Sequence, residues 1–203
     1  MGKTGTSAFG TALQILGYRV IENVGKLVID WNEGNYEELW KVANNYDAFE
    51  DYPWPYIYKE FDKKYPNSKF VFVERPEEEW IIDILYQNMR SKTIERRAKV
   101  DKRNYEEYGF KYLATHKEDM LELYRNHNKN VKEYFKDRED FLEIEWNNYK
   151  PGSKDTWKIL CKFLDKPIIE GIPFPNRKNQ SPHLGYERMY RIAKANPEKF
   201  YGW

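Results

Sequence analysis

Residues 1–18 read MGKTGTSAFGTALQILGY, and the residue types in the first seven positions decide how the rest of the chain is read. Gly2 and Gly5 bracket Lys3 and Thr4, and the hydroxyls of Thr6 and Ser7 follow. Ala8, Phe9, Ala12, Leu13 and Leu16 then recur at helical spacing, with Gly17 placed as a C-cap. A glycine-rich turn running into a helix N-terminus offers several backbone N–H groups and the positive end of a helix dipole to one point, an arrangement suited to an anion. Glycine permits the tight turn and the close approach, and Lys3 adds a positive charge on a long stem. In the nucleoside-triphosphatase loop the lysine follows the last glycine and precedes the Ser/Thr; here it comes before Gly5. Six residues of this kind also fit an ordinary capped helix, so the surrounding chain must decide.

Working outward, SKFVFVERP (68–76) is the clearest strand, an almost unbroken apolar run of the kind buried on both faces of a parallel sheet. Tyr18 to Ile21, Lys26 to Ile29 and DFLEIEW (140–146) read as further strands. Helices are expected over NYEELWKVANNY (35–46), from Glu77 to Met89, over 117–136, over SKDTWKILCKFLD (153–165) and from about Leu184 to Ala195. Strands alternating with helices predict an α/β fold, a parallel sheet flanked by helices. The whole chain, 1–203, reads as one domain. Its charged segment 91–110, centred on ERRAKVDKR, is a solvated helix, a mobile loop or a lid.

The composition narrows the function classes. Lys+Arg 34 against Asp+Glu 33 leaves a net charge of +1, which offers no basic footprint for nucleic acid. Aromatic residues at 17% can bury enough area to offset chain entropy. Cys161 is the only cysteine, which excludes an intramolecular disulfide and any multi-cysteine metal site. His116, His127 and His183 lack metal-ligand spacing, so no metal is expected. There is no run of 18 apolar residues and no signal-peptide pattern, so the expected setting is cytoplasmic.

GKTGTSAFGTALQILGYRV (2–20) resembles the phosphosulfate-binding loop and following helix of sulfotransferases, in particular the group whose loop reads roughly G-x-x-K/R-T-G-T-x-S. YDAFEDYPW (46–54), YKEFDKKYPNSKFVFVERPEEEW (58–80) and GSKDTWKILCKFLDKPIIEGIPFPNRK (152–178) are similar to the matching segments of that group, in the same order. The resemblance therefore runs from Gly2 to about Asn179. It implies a P-loop NTPase-like sulfotransferase fold and transfer of a sulfuryl group from 3′-phosphoadenosine 5′-phosphosulfate (PAPS) to a hydroxyl or amine. The acceptor is a small molecule, a glycan or a lipid, and the oligomeric state is not legible. Lys3, Thr4, Gly5, Thr6 and Ser7 match the cradle of the 5′-phosphosulfate, with Lys3 steadying charge on the departing bridge oxygen. Arg75, at the end of its strand, matches the family's arginine for the 3′-phosphate, with Arg177 and Lys178 as supplements from a late basic loop.

Asp51, just before Tyr52-Pro53, holds the place of the family's general base; the alternative is that it caps the following helix, and Asp47 is the weaker candidate. Trp54 is read either as packing or as a wall of the acceptor or adenine pocket, and Trp80, Trp157 and Cys161 as core. Two departures stand out. Where the family carries a serine eight positions after the arginine, this chain has Asp83, a carboxylate repulsive to phosphate; a shifted alignment or Ser91 are the alternatives. The family also places a buried strand before the loop, while this sequence opens at the loop, so a sheet lacking its first strand or a truncated start is expected. A degenerate nucleotide-binding or scaffold module and, more distantly, a P-loop kinase are the rival readings.

Overall fold

Helix α1 (Thr6–Ile15) starts at Gly5, whose carbonyl accepts from the N–H of Ala8 at 2.9 Å and of Phe9 at 3.3 Å. It ends where Gly17 adopts φ 89°, so that the Gly17 N–H donates to Gln14 O and the Tyr18 N–H to Leu13 O, a paired closure that satisfies two of the last carbonyls. The computed structural model describes residues 1–22, 35–89, 99–100, 102, 104–105, 107–109, 113–145 and 154–175. These belong to two compact units, one built from Met1–Arg75 and Phe135–Arg177, the other carrying Pro76–Tyr134.

The first unit holds α1, β1 (Val20–Ile21), α2 (Glu37–Ala43), β2 (Ala48–Phe49), α3 (Tyr58–Lys64), β3 (Phe70–Glu74), β4 (Phe141–Glu145) and α6 (Lys154–Phe163). Among the described residues the strands pair in parallel, as an α/β order requires, but in two ladders of two rather than in one sheet. β1 lies beside β2, Val20 opposite Ala48. β3 lies beside β4 from Phe70 opposite Phe141 to Glu74 opposite Glu145, so the carboxyl ends of both strands reach one edge together.

One face of α1 is sealed by this arrangement. Ala8, Phe9 and Ala12 pack with Ile144 of β4, with Trp157, Leu160 and Cys161 of α6, and with Phe174, whose ring sits edge-on to both Phe9 and Trp157. Burying a Phe or Leu side chain contributes about 1.5–3 kcal/mol, so this interface is what seats α1, and with it the opening loop, on the β3–β4 ladder. A second cluster joins Leu39 and Ala43 of α2 to Trp54, Ile57 and Phe61. Below it the Arg138 guanidinium grips Asp62 of α3 and Asp140 at the foot of β4, and stacks 4.9 Å from the centre of the Phe135 ring.

The second unit is helical in its described part: α4 (Glu77–Met89), a short turn of helix at Leu113–Thr115 and α5 (Lys117–Tyr134). Trp80 of α4 stacks on Tyr124 of α5 at 4.2 Å between ring centres, and Arg125 pairs with Glu77 at 2.6 Å. Most boundaries fall within two or three residues of the periodicity reading. The helix expected over 35–46 is shorter at both ends, Glu37–Ala43, because the asparagines that flank it at 35, 44 and 45 are turn residues. The strand expected at 26–29, the C-terminal helix and most of the charged segment 91–110 lie outside the described residues.

Candidate active site

The opening loop has the shape of an anion cradle. Lys3 at φ 67° and Gly5 at φ 87° are left-handed, with Thr4 between them on the negative side. Alternation of this kind turns successive backbone N–H groups toward one concave side. No side chain caps α1, so the Thr6 and Ser7 amides at its start, which precede the first bonds to the Gly5 carbonyl, are offered at the same place. Thr4 is only 5% exposed and its hydroxyl donates to Met1 O at 2.8 Å. Its side chain therefore braces the loop, and only its backbone remains to face a ligand. Lys3, Gly5, Thr6 and Ser7 are partly exposed.

Two further residues singled out in the sequence converge here. Arg75, immediately after β3, donates from Nη1 to the Lys3 carbonyl at 3.2 Å. A guanidinium is thus tied to the backbone of the loop itself. Asp51 comes from the other side: a Cβ placed on Gly2 would stand 3.5 Å from Asp51 Oδ1. The half-buried Asp51 has φ 61°, and the cis Tyr52–Pro53 bond follows it. Pro53 stands at the N-cap position of the short helical turn at Trp54–Tyr56, and the Trp54 N–H donates to the Asp51 carbonyl at 3.1 Å. One oxygen of the carboxylate lies beside Gly2 of the loop.

The other candidates separate. Asp47 receives three hydrogen bonds from Arg19, from its backbone N–H, Nε and Nη2, each at 2.9 Å. The guanidinium holds the Asp47 carboxyl down at about 2, which makes it too weak a base to take an acceptor's proton. Trp54 is 5% exposed, donates from Nε1 to Glu22 O at 3.2 Å, and is packed against Phe49 and Phe61. It is a core residue and not a pocket wall, because it is buried among aromatic rings and its indole N–H is engaged by a backbone carbonyl. Trp157 likewise donates inward, to Ile172 O at 2.9 Å, and Cys161 is a buried free thiol. Burial pushes the His127 imidazole down to about 3, and His116 pairs with Asp119 at the start of α5. Asp83 lies half-buried on α4 in the second unit. Ser91, Arg177, Lys178 and His183 lie outside the described residues.

One residue beside the site gave no sign in the sequence. Glu50 is 7% exposed, with both carboxylate oxygens shut off from solvent, and it lies on the Cα of Gly10 in α1. A glutamate next to an aspartate reads as solvated surface; only the glycine in a helix interior, where glycine costs about 1 kcal/mol relative to alanine, hinted at a close approach.

Among the described residues no group of three or more His, Cys, Asp or Glu is placed to hold a metal ion, and no helix is long and apolar enough to cross a membrane. No curated protein matches this chain. A family model does: the sulfotransferase domain matches residues 1–183. With that match over most of its length, and with the loop, Arg75 and Asp51 gathered at one place, this chain belongs to the sulfotransferase domain family.

Proposed function

We propose that the protein transfers a sulfuryl group from PAPS to a hydroxyl or amine of its acceptor, on a P-loop-type α/β frame. The observation that carries this reading is the convergence on one loop of a left-handed amide cradle, a guanidinium and a carboxylate. The residues present fit a phosphosulfate: it is an anion with several acceptor oxygens, and an uncapped helix N-terminus preceded by a nest of N–H groups matches it. The donor, when bound, supplies an activated sulfur and a nucleotide leaving group.

The chain's own part divides among few residues. The amides of Gly5, Thr6 and Ser7 bind and orient the anion, and the Lys3 ammonium lies in the same loop to offset charge as it grows on the leaving oxygen. Arg75 holds the Lys3 carbonyl and so fixes the loop's path, while its cationic group supplies charge for a second phosphate. Asp51 accepts the acceptor's proton; its oxygen stands against the loop, where an attacking hydroxyl or amine has to arrive. Arg177 and Lys178 are proposed to add charge at the 3′-phosphate.

Lys3→Ala and Asp51→Asn test the division of roles. General-base catalysis contributes about 10²–10⁴-fold. Sulfate release from PAPS with water as acceptor is expected to fall by about that factor in Asp51→Asn, with affinity for 3′-phosphoadenosine 5′-phosphate unchanged. Lys3→Ala should lower both. Unchanged turnover in Asp51→Asn refutes the assignment, and nucleotide binding without sulfate release in the unaltered protein would favour a binding module.

A further inference from the structure

Glu50 follows β2, its N–H donating to Ile21 O at 3.0 Å, and its side chain turns into the protein rather than toward water. The carboxylate is laid against α1 so closely that a Cβ on Gly10 would come within 2.1 Å of Oε1 and 2.6 Å of Cδ. A planar carboxylate over a glycine Cα allows C–H···O contact at a separation that a branched side chain could not reach. Its neighbour Asp51 meets the same chain segment at Gly2. Two consecutive carboxylates therefore grip the loop-and-helix segment at two points, Gly2 and Gly10, which straddle the amide cradle. Whatever sets the separation of Glu50 from α1 also sets where the adjoining Asp51 stands relative to the loop.

We propose that Glu50 is a positioning residue of the sulfuryl-transfer site: seated on Gly10, its carboxylate fixes the spacing between α1 and the end of β2 and thereby holds Asp51 against the anion loop. This rests on the reading of Asp51 as proton acceptor. The seat on Gly10 is made by the shape of the planar group, so glutamine, which keeps that group, fills it. A methyl at position 10 instead forces the carboxylate from its seat while leaving α1 a better helix.

The experiment compares Glu50→Ala, Glu50→Gln, Gly10→Ala and the double variant Gly10→Ala/Glu50→Ala in the full chain. It reads sulfate release from saturating PAPS with water as acceptor, calorimetric affinity for 3′-phosphoadenosine 5′-phosphate, and Tm. A misplacement on the order of 1 Å can cost up to about a hundredfold in rate. Glu50→Ala and Gly10→Ala are each expected to slow turnover by about tenfold or more. The double variant should be no slower than either single change, because both undo one contact. Glu50→Gln should recover turnover to within about twofold, and nucleotide affinity should hold within about twofold throughout. Additive losses, full turnover in Glu50→Ala, or turnover, affinity and Tm all falling together would overturn the proposal, the last by showing a merely structural role. Failure of the unaltered protein to bind the nucleotide is a separate result, which removes the proposed function and the positioning role with it.

Discussion

Replacing Arg138 by alanine should weaken the fold by an amount that the geometry allows to be worked out. Its guanidinium makes four charge-assisted hydrogen bonds: to Asp62 at 2.6 and 2.8 Å and to Asp140 at 2.9 and 2.7 Å. The Asp62 side chain is 14% exposed and that of Arg138 31%, so the group lies between a surface pair and a buried one. Surface pairs contribute about 0–1 kcal/mol, and stripping one partner from a buried pair costs about 3–5 kcal/mol. With the added loss of the Phe135 ring contact, about 3 kcal/mol is the reasoned value for Arg138→Ala at neutral pH. That corresponds to a Tm lower by about 6–12 °C in a chain of this size.

The acid dependence of this effect has a defined sign. Arg138 holds the Asp140 carboxyl below its usual range, chiefly through the hydrogen bonds between them. A carboxyl depressed in the folded state stabilises above its unfolded value near about 4, and this contribution is lost as the pH falls through the folded value. The gap between the unaltered protein and Arg138→Ala should therefore be full at neutral pH and should narrow below about pH 4. Urea unfolding followed by tryptophan fluorescence measures both. A loss under about 1 kcal/mol, or a gap that does not change with pH, would refute the reasoning.

The remaining expectations are simpler. Asp47→Asn should leave sulfate release within about twofold of the unaltered protein, since a carboxyl held so low takes no proton in the reaction; a loss of two orders of magnitude or more would return Asp47 to the site. Thr156 is 2% exposed and its hydroxyl has no hydrogen-bond partner among the described residues. Thr156→Val should therefore be neutral or stabilising by about 1 kcal/mol in urea unfolding, and a clear loss of stability would show that the hydroxyl is engaged.

What could be read from the sequence follows the range of the interactions involved. β3 was legible because its run of Phe and Val is continuous and punctuated by Pro66 and Pro76. The opening loop was legible only together with the later segments that resemble the same family, since its six residues also fit an ordinary capped helix; the structure adds the left-handed φ angles at Lys3 and Gly5. Asp51 was found through its place before Tyr52-Pro53, and its approach to Gly2 is a contact across half a unit that no local pattern encodes. The engagement of Asp47 by Arg19, 28 residues away, was hidden for the same reason. Trp54 was ambiguous because an indole suits a core or a binding wall equally; only its bond to Glu22 O and its aromatic neighbours decide. Strands as short as β1 and β2 carry too few residues for a period, so their pairing emerges only from the fold. Glu50 was hidden by its chemistry: a buried carboxylate is rare, and nothing in its neighbours marks it as inward.

The proposed donor site requires that the loop between Gly2 and Ser7 receive the nucleotide. Calorimetric titration with 3′-phosphoadenosine 5′-phosphate, repeated with adenosine 5′-phosphate and with Arg75→Ala, measures it directly. A charged hydrogen-bond partner contributes about 1.5–3 kcal/mol. Binding is therefore expected to weaken by about 10–100-fold when the 3′-phosphate is removed, and by a similar factor in Arg75→Ala. Equal affinity for the two nucleotides, or no binding of either, would contradict the claim that this loop and Arg75 form the donor site of a sulfotransferase.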